Sequence, residues 1–547
     1  MNDLATAATY QPILHDDIKM AIALRSLHEA VTSSVGITNA TILVYSQTIL
    51  IIIIVLFIGN EYYRWAIRIS GIPGPIGLPL IGNLHQIQTV SPPEKYRLWS
   101  LKYGPTFQIQ LGNVPILVIN NAAAAKDLLI RESAAFNSRP LFYVFHKFVS
   151  KEIASIGTSP WDESCKKRRK AAASALNIIQ VDSYAPILRL ESSEFIQELR
   201  QACKNGDTPI EFHSFARRFS MNLSLTLNYG ARASNQKNFD GNPLINEINA
   251  VESEVGKYRS TSSNVKNYVP LLRVLDPLLL LLPGNSLQKA LDIGKRRLQY
   301  HASLLETLKS EIDKNTDKPC IQGNMLRNPE TRNLSDSERL SVSLSIMAGA
   351  DSNTPTIAWG IIFLAHNPEI QDKAFQEIKE SQVLDNDPFG NGKVPYVDAF
   401  TKELNRYYTI LRLAMPKEVT APVKYNGTII PKGTMVILNS WACNRDPDLF
   451  KDPFSFSPER WLESEDPHAH QFAFGMGSRM CVASNLAHKA LYLAFLHLIA
   501  HFHILPADEG QPKGVAHPID GASDSRITST SPKITKARFV PRGQFPF

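Results

Sequence analysis

The chain has 547 residues, 44% hydrophobic and 20% charged, with a net charge of +7. That length and apolar content describe a globular protein with room for roughly two or three subdomains, and so small a charge over so many residues does not require a nucleic-acid partner. Its five cysteines (Cys165, Cys203, Cys320, Cys443 and Cys481) are odd in number, widely spaced and without a C-x-x-C pair. This excludes a zinc ribbon or a disulfide scaffold and points to a reducing compartment. The histidines contain no H-E-x-x-H pattern, and His468 and His470 read as solvated loop residues.

The first element is a membrane anchor. No charged residue occurs from Ala30 to Asn60, and Ile42–Ile58 is almost continuously apolar. Extended by Ala40 and Thr41, this run can just span a thin bilayer. Tyr62, Tyr63 and Trp65 supply an interfacial belt, and Arg64 and Arg68 follow, so the positive-inside rule places the remainder of the chain in the cytosol. The run starts too far into the chain, and lacks the small-x-small site, for a cleaved signal. The expected division is a lumenal segment over 1–39, a transmembrane anchor over 40–59, a juxtamembrane stretch and hinge over 60–79, and a cytosolic domain over 80–547. The sequon at Asn39 would be lumenal but abuts the membrane.

Ile72-Pro73-Gly74-Pro75-Ile76-Gly77-Leu78-Pro79 cannot be helical and forms a stiff, extended hinge. Thr106–Leu111 and Pro115–Ile119 flank Gly112-Asn113 and predict a hairpin. A short helix is expected over Ala122–Ser133. Trp161 opens a stretch ending in Lys166-Lys167-Arg168-Arg169-Lys170, a solvated basic face suited to an acidic partner protein. Helical patterns dominate from about 160 to 380, with a disordered-looking polar stretch near 314–332. Strands return at Val423–Tyr425, Thr428–Ile430 and Met435–Leu438, and the tail from Lys513 reads as loops with a hairpin. The fold class is therefore mainly α with small β-sheets, preceded by one N-terminal transmembrane helix.

Ser335-Asp336-Ser337-Glu338 is a capping box opening an apolar pattern that runs to His366, stopped by Asn367-Pro368. About 30 residues at ~1.5 Å each give a rod of roughly 45 Å. Near its middle, Ala348-Gly349-Ala350-Asp351-Ser352-Asn353-Thr354-Pro355 combines small residues, an acid, hydroxyls and a proline. These weaken the helix locally and open a place for water or a diatomic ligand. Further on, Glu403 and Arg406 stand at i and i+3 on one helix face, and Phe456-Ser457-Pro458-Glu459-Arg460-Trp461 follows. Last comes Phe474-Gly475-Met476-Gly477-Ser478-Arg479-Met480-Cys481, a glycine-driven turn ahead of an apolar helical run. A thiolate at a helix N-terminus, faced by peptide N–H groups, is a strong anionic metal ligand.

These stretches, in this order, resemble the cytochrome P-450 family. The last octet matches its haem-binding loop, Phe-Gly-x-Gly-x-Arg-x-Cys-x-Gly, except that Ala483 replaces the final glycine. Ala348–Thr354 resembles its oxygen-activation stretch, with Asp351 as the acid and Ser352 in the threonine place; Asn353 departs from the second hydroxyl, leaving open whether Ser352 or Thr354 handles protons. Glu403, Arg406 and Arg460 match its buried charged cluster. The resemblance implies Cys481 as ligand of the iron of haem b (iron protoporphyrin IX), with Phe474, Gly475, Gly477 and Arg479 shaping its bed. Trp161 would reach a haem propionate; the usual arginine four residues on is Cys165 here, so Lys166, Arg168 or Arg169 must substitute, with Arg169 favoured.

The implied partners are a membrane-bound NADPH-cytochrome reductase, dioxygen, membrane lipid and a small hydrophobic or aromatic substrate, in the endoplasmic reticulum membrane. Residues 158–177 and Gly477–Cys481 look like the filamentous-fungal group that includes phenylacetate and cresol-type hydroxylases, which implies hydroxylation of a small aromatic in secondary metabolism or aromatic catabolism. Its pocket would draw on Leu141–Ser155, Ala348 and Gly349, and Ala414–Lys417, with Lys417 read as exposed. An electron-independent isomerase or hydroperoxide-rearranging enzyme, or a haem sensor, are the alternatives; neither needs the Asp351-Ser352 pair.

Overall fold

A computed structural model describes residues 39–543 apart from 88–90, 234–238, 262–263, 387–392, 463–470 and 525–528, together with Ile22, Arg25, Ser26 and Glu29. His468, His470 and most of the segment before residue 39 lie outside the described residues. The chain divides into two units, Met1–Ile67 and Arg68–Phe547.

In the first unit, Asn39–Ala66 is one helix (α1). Thr41–Ala66 is long and apolar enough to cross a membrane, with none of its apolar window buried. The helix continues unbroken through Tyr62, Tyr63 and Trp65, so the juxtamembrane stretch begins helical.

The second unit is helical with three small sheets. Pro92–Tyr103 (α2) leads into the expected hairpin, Thr106–Leu111 (β1) and Val114–Ile119 (β2), paired antiparallel from Thr106↔Ile119 to Leu111↔Val114. Gly112 turns the hairpin at φ 52°, and a Cβ there would lie 2.2 Å from the Tyr268 carbonyl. Ala122–Ser133 is not one helix: Ala122–Lys126 is α-helical, Asp127–Arg131 widens to a π turn, and Ser133–Phe136 tightens to 3-10. Glu163–Ala175 (α3) starts at Asp162, whose carboxylate accepts the Cys165 N–H. Ala185–Ala202 (α4) packs on His213–Tyr229 (α5), which ends at Gly230 in the left-handed region, φ 72°.

Pro243–Arg259 (α6) and Ser286–Asp313 (α7) pack side by side. Within the polar stretch near 314–332 lies a helix, Ile321–Arg327, capped by Cys320. Its Ile321 and Met325, one turn apart, are buried in the core, and tertiary packing overrides the polar composition. The expected rod is two helices, Asp336–Met347 (α8) and Ala350–His366 (α9). The capping box at Ser335 and Glu338 is present as read. The break falls at Ala348-Gly349, ahead of Pro355: the Gly349 N–H bonds back three residues to Ile346 O (3.0 Å) instead of four. Pro368–Ser381 (α10) and Pro395–Tyr408 (α11) follow, and Ser484–His501 (α12) is buried along most of its length.

Lys417–Glu418 (β4) precedes an antiparallel pair, Val423–Tyr425 (β5) and Thr428–Ile430 (β6), as expected. Met435–Leu438 (β7) joins the first hairpin in parallel, Ile116↔Met435 to Ile119↔Leu438, with β4 antiparallel on its other side, completing the order β1-β2-β7-β4. The tail from Lys513 does not form the expected hairpin of its own among the described residues: its strand Lys536–Pro541 (β9) pairs antiparallel with Phe502–Pro506 (β8), which precedes the tail, and with Ile210–Glu211 (β3), and only an isolated Ala522–Pro532 bridge lies within it. The largest hydrophobic core joins α4, α5, α9, α11 and α12.

Candidate active site

Cys481 follows a 3-10 turn, Gly477–Arg479, and leads into α12. Gly477 has φ 77°, and a Cβ on it would stand 2.0 Å from the Leu129 carbonyl, so only glycine fits. Gly475 also takes a positive φ, 74°, and the Cys481 N–H donates to Phe474 O at 3.0 Å, closing the loop. Ala483 sits at φ −97°, ψ 14°, a conformation alanine adopts freely, so the departure from glycine carries no strain. Cys481 is set within the body of the protein, but its side chain is exposed, opening into a cleft. Burial pushes its thiol up; the Ala483 N–H and the charge of Arg169 act the other way and favour the thiolate.

That cleft has a cavity volume of about 260 Å³. Phe474, Gly475, Met476, Met480 and Cys481 form one wall, and Ala348, Gly349, Ser352, Asn353 and Thr356 face into it from α9 and the break. Four cations line it as well, Arg139, Arg169, Lys417 and Arg479, and among the described residues no acidic side chain does. Arg479 donates to Asn137 O (2.6 Å), Ile156 O (2.6 Å) and Ser159 O (3.0 Å), while its buried Nε has no partner. Arg169 donates to Met480 O at 2.6 Å, next to the thiol. Arg139 donates to Gly157 O and to Pro416 O.

Lys417 is 4% exposed, which corrects the reading of it as a surface lysine. Burial, then Arg139, Arg479 and Arg169, push its ammonium down to about 6. Burial and the same neighbours hold Arg139 well below its ordinary range. Such a cluster requires anions.

Of the three bases proposed to replace an arginine at Cys165, Arg169 is the one in the cleft. Arg168 is turned to Ser159, Ser341 and Ala154 O, and Lys166 pairs with Glu163 at the surface. Cys165 itself is fully buried. Trp161 is not among the cleft residues; its ring lies under the Arg479 guanidinium, 5.5 Å from the centroid. Of the expected pocket ranges, Ala348, Gly349, Ala414, Met415 and Lys417 line the cleft, whereas Leu141–Ser155 does not; Arg139, Ile156 and Gly157 flank that range and take its place.

At the helix break, Ser352 faces the cleft, its hydroxyl donating to Gly349 O (3.1 Å). Thr354 is buried away from it. Asp351 sits beside a second charged group: Arg297 grips Glu252 with two bonds (2.6 and 3.0 Å), and the Tyr300 hydroxyl donates a third (2.6 Å). Burial, then the Glu252 carboxylate, lift the Asp351 carboxyl to about 6, against the pull of Arg259, Arg297 and Arg217.

Behind the cysteine loop, Glu403 and Arg406 form a doubly bonded pair (2.7 and 2.8 Å), both fully buried. Arg460 (3.1 Å) and the Trp461 indole (2.9 Å) also donate to Glu403, and Arg406 donates to the carbonyls of Asn444, Pro453 and Ser455. Every donor in the pair is used.

Haem fits this donor set. Among the described residues no group of three His, Cys, Asp or Glu could hold a metal, so an iron at Cys481 must bring its remaining ligands with it. A macrocycle with two carboxylates also answers the acid-free cation cluster. Sequence reasoning reached Arg169 and Arg479 and placed Lys417 in a pocket range while reading it as exposed, but it missed Arg139, which no local pattern marks.

Comparison with known proteins agrees. The chain is 44% identical over 490 residues, 89% of itself and 92% of the relative, to 3-hydroxyphenylacetate 6-hydroxylase of Emericella nidulans. It is 38% identical to phenylacetate 2-hydroxylase of the same organism (87% and 91% covered) and 36% identical to a cytochrome P450 monooxygenase of Mycosarcoma maydis (87% and 88%). The family model described as Cytochrome P450 matches residues 72–523, from the proline hinge past α12, and with a glycine-shaped cysteine loop facing a broken helix across a cation-lined cleft, the chain belongs to the cytochrome P450 family of monooxygenases.

Proposed function

We propose that this monooxygenase hydroxylates the ring of a small aromatic acid or phenol. The relatives named for phenylacetate and 3-hydroxyphenylacetate, aligned over nearly the whole chain, carry this reading. The lining of the cleft supports it: Ile156, Ile346, Ala348, Gly349, Ala414 and Met415 offer a small, mostly aliphatic enclosure for a ring.

In this reading Cys481 ligates the iron of haem b, and Phe474, Gly475 and Gly477 shape its bed. Arg479 and Arg169, joined by Arg139 and Lys417, hold the propionates; Trp161 acts indirectly, by flanking Arg479. Bound haem supplies the activation of dioxygen and the transfer of one oxygen atom. The chain's own part is to orient the substrate, exclude water and move protons. Ser352, facing the cleft, passes protons supplied by Asp351, whose carboxyl is poised to give and regain one near neutral pH; Thr354 is left as a packing residue. Glu403, Arg406 and Arg460 hold the cysteine loop. Electrons come from an NADPH-cytochrome reductase docking on the basic face of α3, with α1 anchoring the chain in the endoplasmic reticulum membrane and the second unit in the cytosol.

The test is titration of the ferric protein with phenylacetate, its monohydroxy derivatives, cresols and straight-chain acids, followed by product analysis with reductase and NADPH. A spin-state shift with aryl acids or phenols and a ring-hydroxylated product are expected. A shift with aliphatic acids alone would overturn the substrate class.

A further inference from the structure

Pro355 sits inside α9, four residues after Asp351. A proline has no N–H, so the Asp351 carbonyl loses the donor that an unbroken helix would give it. That carbonyl lies at the turn that carries both Asp351 and Ser352, just after the break at Ala348-Gly349. A group from the far end of the chain takes up the missing bond: the Ser529 hydroxyl donates to Asp351 O at 2.7 Å.

The segment bearing Ser529 is pinned. The Trp359 indole, two turns along α9 from Asp351, donates to Thr530 O at 2.9 Å, and the Thr530 N–H donates to Ile410 O at 3.2 Å. Trp359 is fully buried and stacked on Tyr408, with ring centroids 4.5 Å apart. Ile410 lines the cleft. Ala522 and Pro532 are bridged, and the Ser523 N–H donates to Ser531 O at 2.9 Å, which ties the segment to its outgoing arm. The Ser529 hydroxyl is thus held from several sides at a fixed height along α9.

We propose that Ser529 is a positioning residue for oxygen activation: by bonding the carbonyl that Pro355 leaves without a helical donor, it fixes the turn that carries Asp351 and aims Ser352 into the cleft. Without this bond the carbonyl must recruit water or swing, and either change misaims the proton path. Protons then arrive by an uncontrolled route, and reduced oxygen leaves as peroxide before the substrate is attacked. The inference rests on the assignment of proton delivery to Asp351 and Ser352.

The experiment uses the full-length, haem-loaded protein in membranes with reductase. S529A is expected to keep the carbon monoxide difference spectrum and the substrate spin shift. The peroxide formed per NADPH should rise roughly two- to tenfold, the range one hydrogen bond commands. Amide exchange over 350–357 should speed up, and S529T should restore both readouts. P355A returns an N–H to the Asp351 carbonyl, so in that background S529A should have little further effect. An S529A protein that couples as tightly as the parent, or an effect equally large with P355A, would overturn the proposal. If S529A fails to take up haem, recovery in the P355A/S529A double variant supports the link through the carbonyl, and continued failure refutes it. D351N separates the two layers: coupling unchanged by D351N sinks the proton-delivery assignment, whereas D351N uncoupling with S529A neutral sinks only the role of Ser529.

Discussion

Lys417 combines a side chain that is normally charged with near-complete burial, among three arginines. With its ammonium pushed down to about 6 it is largely neutral at pH 7 until a carboxylate arrives, and then it regains its proton. Cofactor binding above pH 6 therefore takes up a proton at this site, so haem retention should weaken as pH rises above that value. In K417M we expect faster haem transfer to an acceptor globin and a flatter pH dependence, with K417R close to the parent; a parent protein whose transfer rate ignores pH would refute the coupling. Asp351 is shifted in the opposite direction. Its folded value near 6 lies above the ordinary 3.8, so the native state binds the proton more tightly, and this group's contribution to stability falls as pH rises through that window. Glu252, Arg259, Arg297 and Arg217 set the value, and D351N should remove a pH limb near 6 from the coupling profile. Persistence of the limb in D351N would assign it to another group.

Among the elements, the sharpest energetic contrast is between two ion pairs near the cysteine loop. Glu403–Arg406 is fully buried, and E403A leaves a guanidinium without its carboxylate, at a cost of about 3–5 kcal/mol. That is a large part of the roughly 5–15 kcal/mol typical of a folded domain, so haem-loaded protein should be nearly absent. Lys373–Glu459, at a similar distance (2.6 Å), is 53% and 38% exposed, and K373A should cost about 1 kcal/mol or less and leave the haem content unchanged. Haem per chain, read from the carbon monoxide difference spectrum, ranks the two. Elements with a local cause are legible in the amino-acid sequence: the hairpin at Gly112-Asn113, the capping box at Ser335, and the glycines around Cys481 each announce themselves within a few residues. The Ile321–Arg327 helix is not, because its burial is decided by α5, α7 and α8 and not by its own polar composition. Nor is the pairing of β2 with β7, or the meeting of Arg139, Arg169, Lys417 and Arg479, since only the closed fold brings such distant positions together. Trp161 misleads for a related reason: a motif spacing fixes a helix face, not which side chain on it reaches the cleft.

For the molecule as a whole, α1 poses the remaining physical problem. Ile49 to Ile58 are 40–66% exposed along every face, a surface that water does not tolerate on a stable monomer. The 26 residues of Thr41–Ala66 span about 39 Å at ~1.5 Å each, more than the ~30 Å hydrocarbon core, so one tilted pass suffices. Tyr62, Tyr63 and Trp65, exposed at the C-terminal end of the helix, belong at a headgroup boundary. The full chain should therefore resist alkaline extraction from microsomes. An epitope placed before residue 39 should survive protease in sealed vesicles while one after Phe547 is cut, and detergent should expose both. Cleavage of both tags in sealed vesicles would mean that α1 lies on the membrane surface instead of crossing it, and protection of the C-terminal tag alone would reverse the orientation and place Cys481 where no NADPH-linked reductase can serve it.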